Sequence, residues 1–175
     1  LTRPQSMKQA ASAPCTCGGE WVKTVEESFQ KNRIPTADLC YSILRALYMG
    51  RCETVPVIVL AGSAGGEGKS IFLKALRSIF PEGTVFSIPS EKCNFPFMGI
   101  EQSKVTFLDD WRFDSSLVSQ PTQMLLFDGS PVPCARPQNI PGTSGNMLYR
   151  GTAPVFVTTK LANIQRLMKL AEVDP

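Results

Sequence analysis

The sequence contains no histidine and no apolar run close to the ~20 residues that a membrane-spanning helix needs. Without histidine, the mixed cysteine–histidine sites that commonly bind zinc cannot form. The net charge of +3 is also small, which excludes a histone-like basic protein but permits a locally basic groove for an acidic polymer. With a hydrophobic fraction of 43% over 175 residues, we expect one globular domain with flanking segments and no membrane segment.

The six cysteines are scattered along the chain, and only Cys15 and Cys17 lie close together in sequence. They form a C-x-C pair followed by two glycines, but no second close pair is present to complete a metal site. A zinc or redox role for this pair is therefore the less favoured alternative. We interpret the cysteines as reduced thiols of an intracellular protein.

The composition divides the chain into three parts. Residues 1–20 are rich in Pro, Ser, Ala, Gly and Thr, so we predict a flexible linker without secondary structure. Residues 21–53 carry two amphipathic helical patterns and are predicted to form a helical lead-in. Residues 54–175 are predicted to form the core domain. Because the sequence starts at Leu1 rather than at Met and stops just after a helical pattern, we expect part of a longer polypeptide whose core is truncated at its C-terminus.

Short apolar strands alternate with amphipathic helices in residues 54–175, which is the pattern of a parallel α/β sheet flanked by helices. Strands are predicted over residues 54–62, 84–88, 104–110 and 153–160. The first strand is rich in β-branched residues without alternation, as expected of a strand buried on both faces of the sheet. Residues 128–151 are rich in Pro, Gly, Ser and Asn and long for a simple connection, so we predict a functional loop or a hairpin there.

A glycine-rich loop joins the first predicted strand to an amphipathic helix. Its members are predicted to bind the phosphates of a nucleotide; they are Gly62, Ser63, Ala64, Gly65, Gly66, Glu67, Gly68, Lys69, Ser70 and Ile71. Glycine is needed because consecutive backbone N–H groups converge on an anion only where side chains do not obstruct them. Lys69 is predicted to reach the β- and γ-phosphates of ATP, and Ser70 to hold Mg²⁺. The pattern G-x-x-x-x-G-K-[ST] has a glycine where this chain has Ser63, which leaves a glycine-rich turn without catalytic meaning as the alternative.

Polar side chains follow two of the other predicted strands. The segment KVTFLDDW brings Asp109 and Asp110 to the C-terminal end of a core strand, where ligands bind in open parallel sheets. We predict that Asp109 holds Mg²⁺ through its water shell, and that Asp110 orients or deprotonates the water that attacks the γ-phosphate. Lys160 ends the strand APVFVTTK and is predicted to contact the γ-phosphate or that water, a solvated lysine being the alternative. The predicted catalytic residues are thus Lys69, Asp110 and Lys160.

Together these segments resemble the superfamily 3 helicases, the replicative DNA helicases of small DNA viruses, and most closely the ATPase domain of papillomavirus replication helicases. The resemblance runs from Phe29 to Lys160, with VIVLAGSAGGEGKSIFLKALRSIF as Walker A, EKCNFPFMGIEQSKVTFLDDW leading to Walker B, LLFDGSPVPCARPQN as the B′ segment and RGTAPVFVTTK as motif C. It implies that residues 54–175 form a P-loop ATPase core of the AAA+-like type. It also implies a homo-hexamer that binds ATP and Mg²⁺ between subunits. The hexamer would bind single-stranded or forked DNA in its central channel, unwind DNA during replication and work in the nucleus.

The chain departs from the family pattern at three points. The family's B′ segment forms a hairpin whose basic tip grips single-stranded DNA, and here only Arg136 is near the tip, with Arg150 on the return side. We predict that both contact the DNA backbone, a flexible surface loop being the alternative. Lys160 stands where motif C normally ends in asparagine. The arginine that the family donates across the subunit boundary should lie beyond motif C, where only Arg166 is present, so we expect the finger to be missing and ATP hydrolysis to be poor.

Two other functions are left as alternatives. A P-loop kinase is disfavoured because its lid would be rich in arginine, whereas residues 129–149 contain only Arg136. A remnant of a viral or transposon gene that binds nucleotide or DNA without unwinding is kept open by Lys160, by the altered glycine spacing and by the depleted hairpin.

Overall fold

The structure is a computed structural model of the 175-residue chain; it describes residues 1–88, 93–113, 116–137 and 146–173, with side chains up to residue 169. The elements are α1 (Arg3–Ser12), α2 (Glu20–Lys31), α3 (Thr36–Met49), β1 (Ile58–Gly62), α4 (Lys69–Arg77), β2 (Val85–Ser87), a 3-10 turn (Ile100–Gln102), β3 (Val105–Leu108), α5 (Gln120–Asp128), β4 (Val132–Cys134), β5 (Met147–Tyr149), β6 (Val155–Lys160) and α6 (Leu161–Val173).

Four parallel strands form the central sheet in the order β1-β6-β3-β2. β6 lies between β1 and β3, and it pairs Lys160 with Gly62 on one side and Val157 with Leu108 on the other. Because the strands are parallel, their C-terminal ends lie at one edge of the sheet. The predicted parallel α/β sheet flanked by helices is confirmed. The strands are shorter than predicted, and β3 ends at Leu108, so the two aspartates follow the strand instead of belonging to it.

The prediction that the first strand is buried on both faces is wrong, because β1 lies at the edge of the sheet and exposes Val59 and Ala61.

Apolar side chains cover both faces of β3 and of most of β6. On one face, Phe156 of β6 and Phe107 of β3 stack with ring centroids 5.5 Å apart, in a cluster that includes Leu73 of α4. The next residue of β6, Val157, belongs to a second cluster that includes Leu126 of α5. Successive residues of β6 enter different clusters because side chains alternate across a strand. A strand buried in this way needs no polar residue at every second position, which explains the continuous apolar run in its sequence.

A helix lies in the segment that we expected to be a linker. The prediction that residues 1–20 lack secondary structure is wrong for α1, which begins with a capping box: the Thr2 side chain accepts from the Gln5 N–H, and the Gln5 side chain accepts from the Thr2 N–H at 2.7 Å. Arg3 then donates from its Nε to the Leu47 carbonyl oxygen at the end of α3, 2.8 Å away. The local cap and this tertiary contact outweigh the polar composition of the segment.

The helical lead-in forms α2 and α3, as predicted for residues 21–53. α2 contacts the core through Phe29, whose ring centroid lies 5.5 Å from that of Phe72 in α4. α3 buries Ala46 and Leu47 in its last turn. Among the described residues, no helix has the length and apolar character needed to span a membrane.

Within residues 128–151, the described parts contain the two paired strands of a hairpin, the second of the two structures predicted for this segment. β4 and β5 pair in antiparallel orientation, with Val132 opposite Tyr149 and Cys134 opposite Met147. The tip between them, residues 138–145, lies outside the described residues. The described strands and the residues that flank them show how the hairpin is attached to the core.

Arg51 attaches this hairpin to the helical lead-in. Its Nη1 donates to the carbonyl oxygens of Leu125, Leu126 and Ser130 at 2.7 to 3.3 Å. Its Nε and Nη2 both donate to the carbonyl oxygen of Gly151, at 3.3 and 3.0 Å. One buried side chain thus contacts the last turn of α5, a residue shortly before the first hairpin strand and a residue shortly after the second.

Candidate nucleotide-binding site

The glycine-rich loop connects the end of β1 to the beginning of α4. Gly66 and Gly68 have φ angles of 79° and 83°, a left-handed backbone that glycine adopts without penalty. Gly68 is the N-cap of α4, so the first helical N–H groups open toward the loop. At Gly62 a Cβ would overlap the ends of the Glu67 and Lys69 side chains, which would have to move. The loop therefore depends on glycine for its backbone angles at Gly66 and Gly68, and the side chains of Glu67 and Lys69 lie against the end of β1.

The Glu67 carboxylate lies inside this loop. Its Oε1 accepts hydrogen bonds from the Ser63 hydroxyl at 2.8 Å and from the Ala64 N–H at 3.0 Å. Its Oε2 accepts from the Lys69 ammonium at 2.8 Å, and Lys69 also donates to the Ala64 carbonyl oxygen at 2.9 Å. The hydrogen bond from Lys69, followed by those from Ser63 and Ala64, lowers the pKa of Glu67 to about 2. Glu67 is thus an ionised ligand of the groups that were predicted to bind phosphate.

Ser70 and Asp109 meet at the C-terminal edge of the sheet. The Ser70 hydroxyl, in the first turn of α4, donates to Asp109 Oδ1 at 2.7 Å, although the two residues are 39 positions apart in sequence. Thr158 of β6 donates to the same oxygen at 2.5 Å and accepts from the Asp110 N–H at 2.8 Å. Burial opposes ionisation of Asp109, but the hydrogen bonds from Thr158 and Ser70 outweigh it and lower the pKa of the carboxyl group. The structure therefore brings together the two residues predicted to hold the metal.

The donor set of Ser70 and Asp109 fits Mg²⁺. Both are hard oxygen ligands, and Mg²⁺ is usually held by one or two protein ligands together with waters and substrate phosphates. Within the described ranges, no three Cys, Asp or Glu side chains lie close enough to form a metal site made of protein alone. A metal here would therefore need the phosphates of a bound nucleotide as further ligands.

The Asp110 side chain has no hydrogen bond or ion pair with the loop among the contacts of the described residues. It has a left-handed φ of 50°, a conformation that aspartate tolerates better than most residues. Its carboxylate is 59% exposed and, among the contacts of the described residues, its charged partner is Arg112, at 3.8 Å. The backbone N–H of Asp110 is fixed on Thr158, so the residue has a defined place beside Asp109 and an exposed carboxylate.

Lys160 lies beside the beginning of the glycine-rich loop. It is the last residue of β6, it pairs in register with Gly62, and its side chain is exposed. Lys160 lies there because β6 is between β1 and β3 in the sheet, so the end of β6 is next to the end of β1. Lys160 is thus at the edge where Ser70 and Asp109 meet, as its predicted role requires, but its contact with a phosphate stays a prediction.

The two arginines predicted to contact DNA are on the hairpin. Arg136 follows β4 and forms an ion pair with Glu101 of the 3-10 turn, with Nη2 and Oε1 2.8 Å apart. Arg150 follows β5 and is exposed. Neither arginine belongs to the cluster around Ser70 and Asp109, which is consistent with a role separate from nucleotide binding. Their contact with DNA stays a prediction.

Thr158 had no predicted role, and Glu67 was predicted only as one member of the glycine-rich loop. A signal for Thr158 was present, because a threonine within a buried apolar strand needs a hydrogen-bond partner, and Thr158 lies on the same side of β6 as Lys160. Glu67 offered no comparable signal, since its contacts depend on the path of the loop.

Replacing Thr158 with valine is expected to weaken Mg²⁺ binding in the nucleotide complex ~10- to 100-fold, the usual cost of losing a residue that orients a metal ligand. Valine keeps the shape of threonine but cannot donate to Asp109. The measurement is the Mg²⁺ dependence of ATP binding, followed with a fluorescent ATP analogue.

The Thr158→Ser variant retains the hydroxyl and is expected to restore the Mg²⁺ dependence. A matched control is Thr106→Val, which changes a buried threonine of β3 whose hydroxyl has no partner among the described residues. An unchanged Mg²⁺ dependence in Thr158→Val would contradict the assigned role.

A scan against protein-family models gave no match, and a search of the curated proteins gave none either. A functional assignment therefore depends on the geometry of the site and on the resemblance of the motifs.

Proposed function

We propose that the chain is the ATPase domain of a DNA helicase of the superfamily 3 type, with a P-loop NTPase core of AAA+-like architecture. The observation that carries the proposal is the 2.7 Å contact between Ser70 and Asp109. In P-loop NTPases the hydroxyl residue after the loop lysine and the acidic residue of a neighbouring strand together hold Mg²⁺. Here two residues of those types, one in the first turn of α4 and one directly after β3, have adjacent oxygen atoms beside a glycine-rich loop.

Each residue of the site has a role in ATP hydrolysis. Backbone N–H groups of the loop and of the first turn of α4 bind the phosphates, and Lys69 neutralises charge on the β- and γ-phosphates. Ser70 and Asp109 would hold Mg²⁺, which would supply positive charge against the phosphate oxygens. Asp110 orients the attacking water or accepts its proton, which its exposed carboxylate is suited to do. Lys160 contacts the γ-phosphate or that water from the tip of β6.

The helicase part of the proposal is supported by the hairpin and by the order of the motifs. The chain has the two-stranded hairpin at the position of the B′ segment, with Arg136 and Arg150 as its basic residues. The resemblance implies a homo-hexamer that moves single-stranded or forked DNA through its centre, in the nucleus. An arginine supplied by the adjacent subunit would complete the site, because such a residue in trans accelerates hydrolysis ~10³–10⁵-fold in P-loop GTPases.

The test has two parts. ATP with Mg²⁺ is expected to bind this chain with an affinity in the micromolar range that is usual for substrates, measured with a fluorescent analogue. In the full-length polypeptide, single-stranded DNA is expected to stimulate ATP turnover.

Absence of ATP binding, by wild type and by the Glu67→Gln variant alike, would contradict the proposal as a whole. Binding and turnover without stimulation by DNA would favour the alternative of a nucleotide-binding remnant that does not unwind DNA. The ion pair of Arg136 with Glu101 is the observation that keeps this alternative in view, because it already neutralises one of the two hairpin arginines.

A further inference from the structure

We infer that Glu67 is an internal competitor for the phosphate position, so that a nucleotide must displace its carboxylate from the glycine-rich loop before binding. The inference rests on the proposed function in one respect: it takes this loop to be a phosphate site. It adds a regulatory element, because the fraction of molecules with an open loop then limits the affinity for every phosphate ligand.

The groups that bind Glu67 are those that a phosphate group requires. An amide N–H from Ala64, a hydroxyl from Ser63 and an ammonium from Lys69 all donate to its two oxygens at 2.8 to 3.0 Å. Ionised acceptors with such donors form hydrogen bonds about twice as strong as neutral ones. Glu67 therefore uses the same donors as the ligand would, and both cannot be bound to them at once.

The position of the Glu67 carboxylate indicates that it competes with a phosphate group and does not merely contact the periphery of the loop. A Cβ built on Gly62 would overlap Glu67 Oε2, which means that the carboxylate lies against the end of β1. Lys69 keeps only 17% of its side chain exposed in this arrangement and is engaged by both Glu67 and the Ala64 carbonyl oxygen. An incoming phosphate therefore meets a lysine that is already neutralised.

The loop is built so that this contact can break without disturbing the fold. All of the hydrogen bonds of Glu67 are to residues two to four positions away in sequence. Gly66 and Gly68 flank Glu67, and both have positive φ angles that other residues rarely adopt. Glu67 can consequently leave the loop by rotation at its two neighbours, while β1 and α4 stay in place.

Competition has a defined thermodynamic signature. The apparent dissociation constant equals the intrinsic constant divided by the fraction of open loops. A loop that is closed in about nine molecules out of ten would weaken all phosphate ligands ~10-fold, whatever base they carry. Inorganic pyrophosphate, which has phosphates but no nucleoside, is therefore the appropriate second probe beside ATP.

The experiment measures the dissociation constants of ATP and of pyrophosphate, both with Mg²⁺, by isothermal titration calorimetry. Wild type is compared with Glu67→Gln, Glu67→Asp and the control Glu82→Gln, which changes an exposed glutamate beyond α4. Glu67→Gln is expected to bind both ligands ~10-fold tighter, because a neutral amide competes poorly for Lys69. Glu82→Gln is expected to match wild type.

Glu67→Asp separates contact from charge. Aspartate keeps the negative charge but is shorter by one methylene, so it reaches the loop donors poorly. Tighter binding by Glu67→Asp supports competition for the donors, whereas binding equal to wild type in this variant indicates simple charge repulsion and overturns the inference.

The outcomes also separate the inference from the proposed function. If wild type binds ATP and Glu67→Gln binds both ligands no more tightly, the inference is wrong and the proposed function stands. If ATP binds only after Glu67 is replaced, the inference is supported in its strongest form. If neither wild type nor any variant binds ATP or pyrophosphate, the loop is not a phosphate site and the proposed function fails.

Discussion

Replacing Lys69 with alanine is expected to lower ATP turnover of the full-length protein by about 10²–10³-fold, the typical cost of removing one preorganised group that stabilises charge in the transition state. The ammonium group lies at the loop, where it contacts Glu67 and the Ala64 carbonyl oxygen at 2.8 and 2.9 Å, and it becomes available to the phosphates once Glu67 leaves. The measurement is steady-state ATP hydrolysis with saturating single-stranded DNA.

The matched control for this variant is Arg77→Ala. Arg77 is an exposed cation at the other end of α4, eight residues from Lys69 and so about 12 Å along the helix. Its loss removes the same charge from the same helix without touching the loop, and turnover is expected to stay within about twofold of wild type. Equal losses in the two variants would mean that Lys69 acts only through the net charge of the helix, which would contradict its catalytic assignment.

The sheet could be predicted from the sequence because its strands carry a strong pattern. β6 and β3 each contain an apolar run and are buried along nearly their whole length between two clusters, as a parallel strand requires. The order β1-β6-β3-β2 could not be derived in the same way, because local sequence does not encode which strands pair. That order matters to the site, since it inserts β6 with Thr158 and Lys160 between the loop and the aspartates.

In the candidate site too, some features could be predicted from the sequence and others could not. Ser70 and Asp109 were predicted as partners because parallel strands end at one edge of a sheet, so residue types and strand ends were sufficient. Thr158 and Glu67 were not predicted as ligands of Asp109 and Lys69, because their roles depend on side-chain distances of less than 3 Å. α1 was missed for another reason: its composition is that of a linker, and the contact of Arg3 with Leu47 is tertiary.

Arg51 contributes to stability in a way that the sequence concealed, because an arginine between a helix and a strand is normally exposed. Here it is 5% exposed, and its guanidinium group lies 5.2 Å from the Tyr149 ring centroid. Burial lowers its pKa, opposed by the charges of neighbouring groups. The backbone is packed closely at this junction: a Cβ on Gly129 would collide with the backbone of Cys52, the residue after Arg51.

Replacing Arg51 with methionine is therefore expected to lower the free energy of unfolding by about 3 kcal/mol. Four carbonyl oxygens lose their donor in this variant. An unsatisfied buried acceptor costs ~1–3 kcal/mol, and the cost is smaller where water reaches the oxygen atom. Methionine occupies most of the same volume, so the loss reports the hydrogen bonds more than a cavity. The measurement is the urea midpoint, which is expected to fall by ~1–2 M.

Arg112→Met is the control, because the Arg112 side chain is 76% exposed and its ion pair with Asp110 is 3.8 Å long. Such a surface pair contributes ~1 kcal/mol at most, so this variant is expected to unfold close to wild type. Arg51→Lys should fall between the two, since an ammonium group keeps the charge but offers three donors in place of five. If Arg51→Met were as stable as Arg112→Met, the carbonyl oxygens would have other donors, and Arg51 would not hold the hairpin to the core.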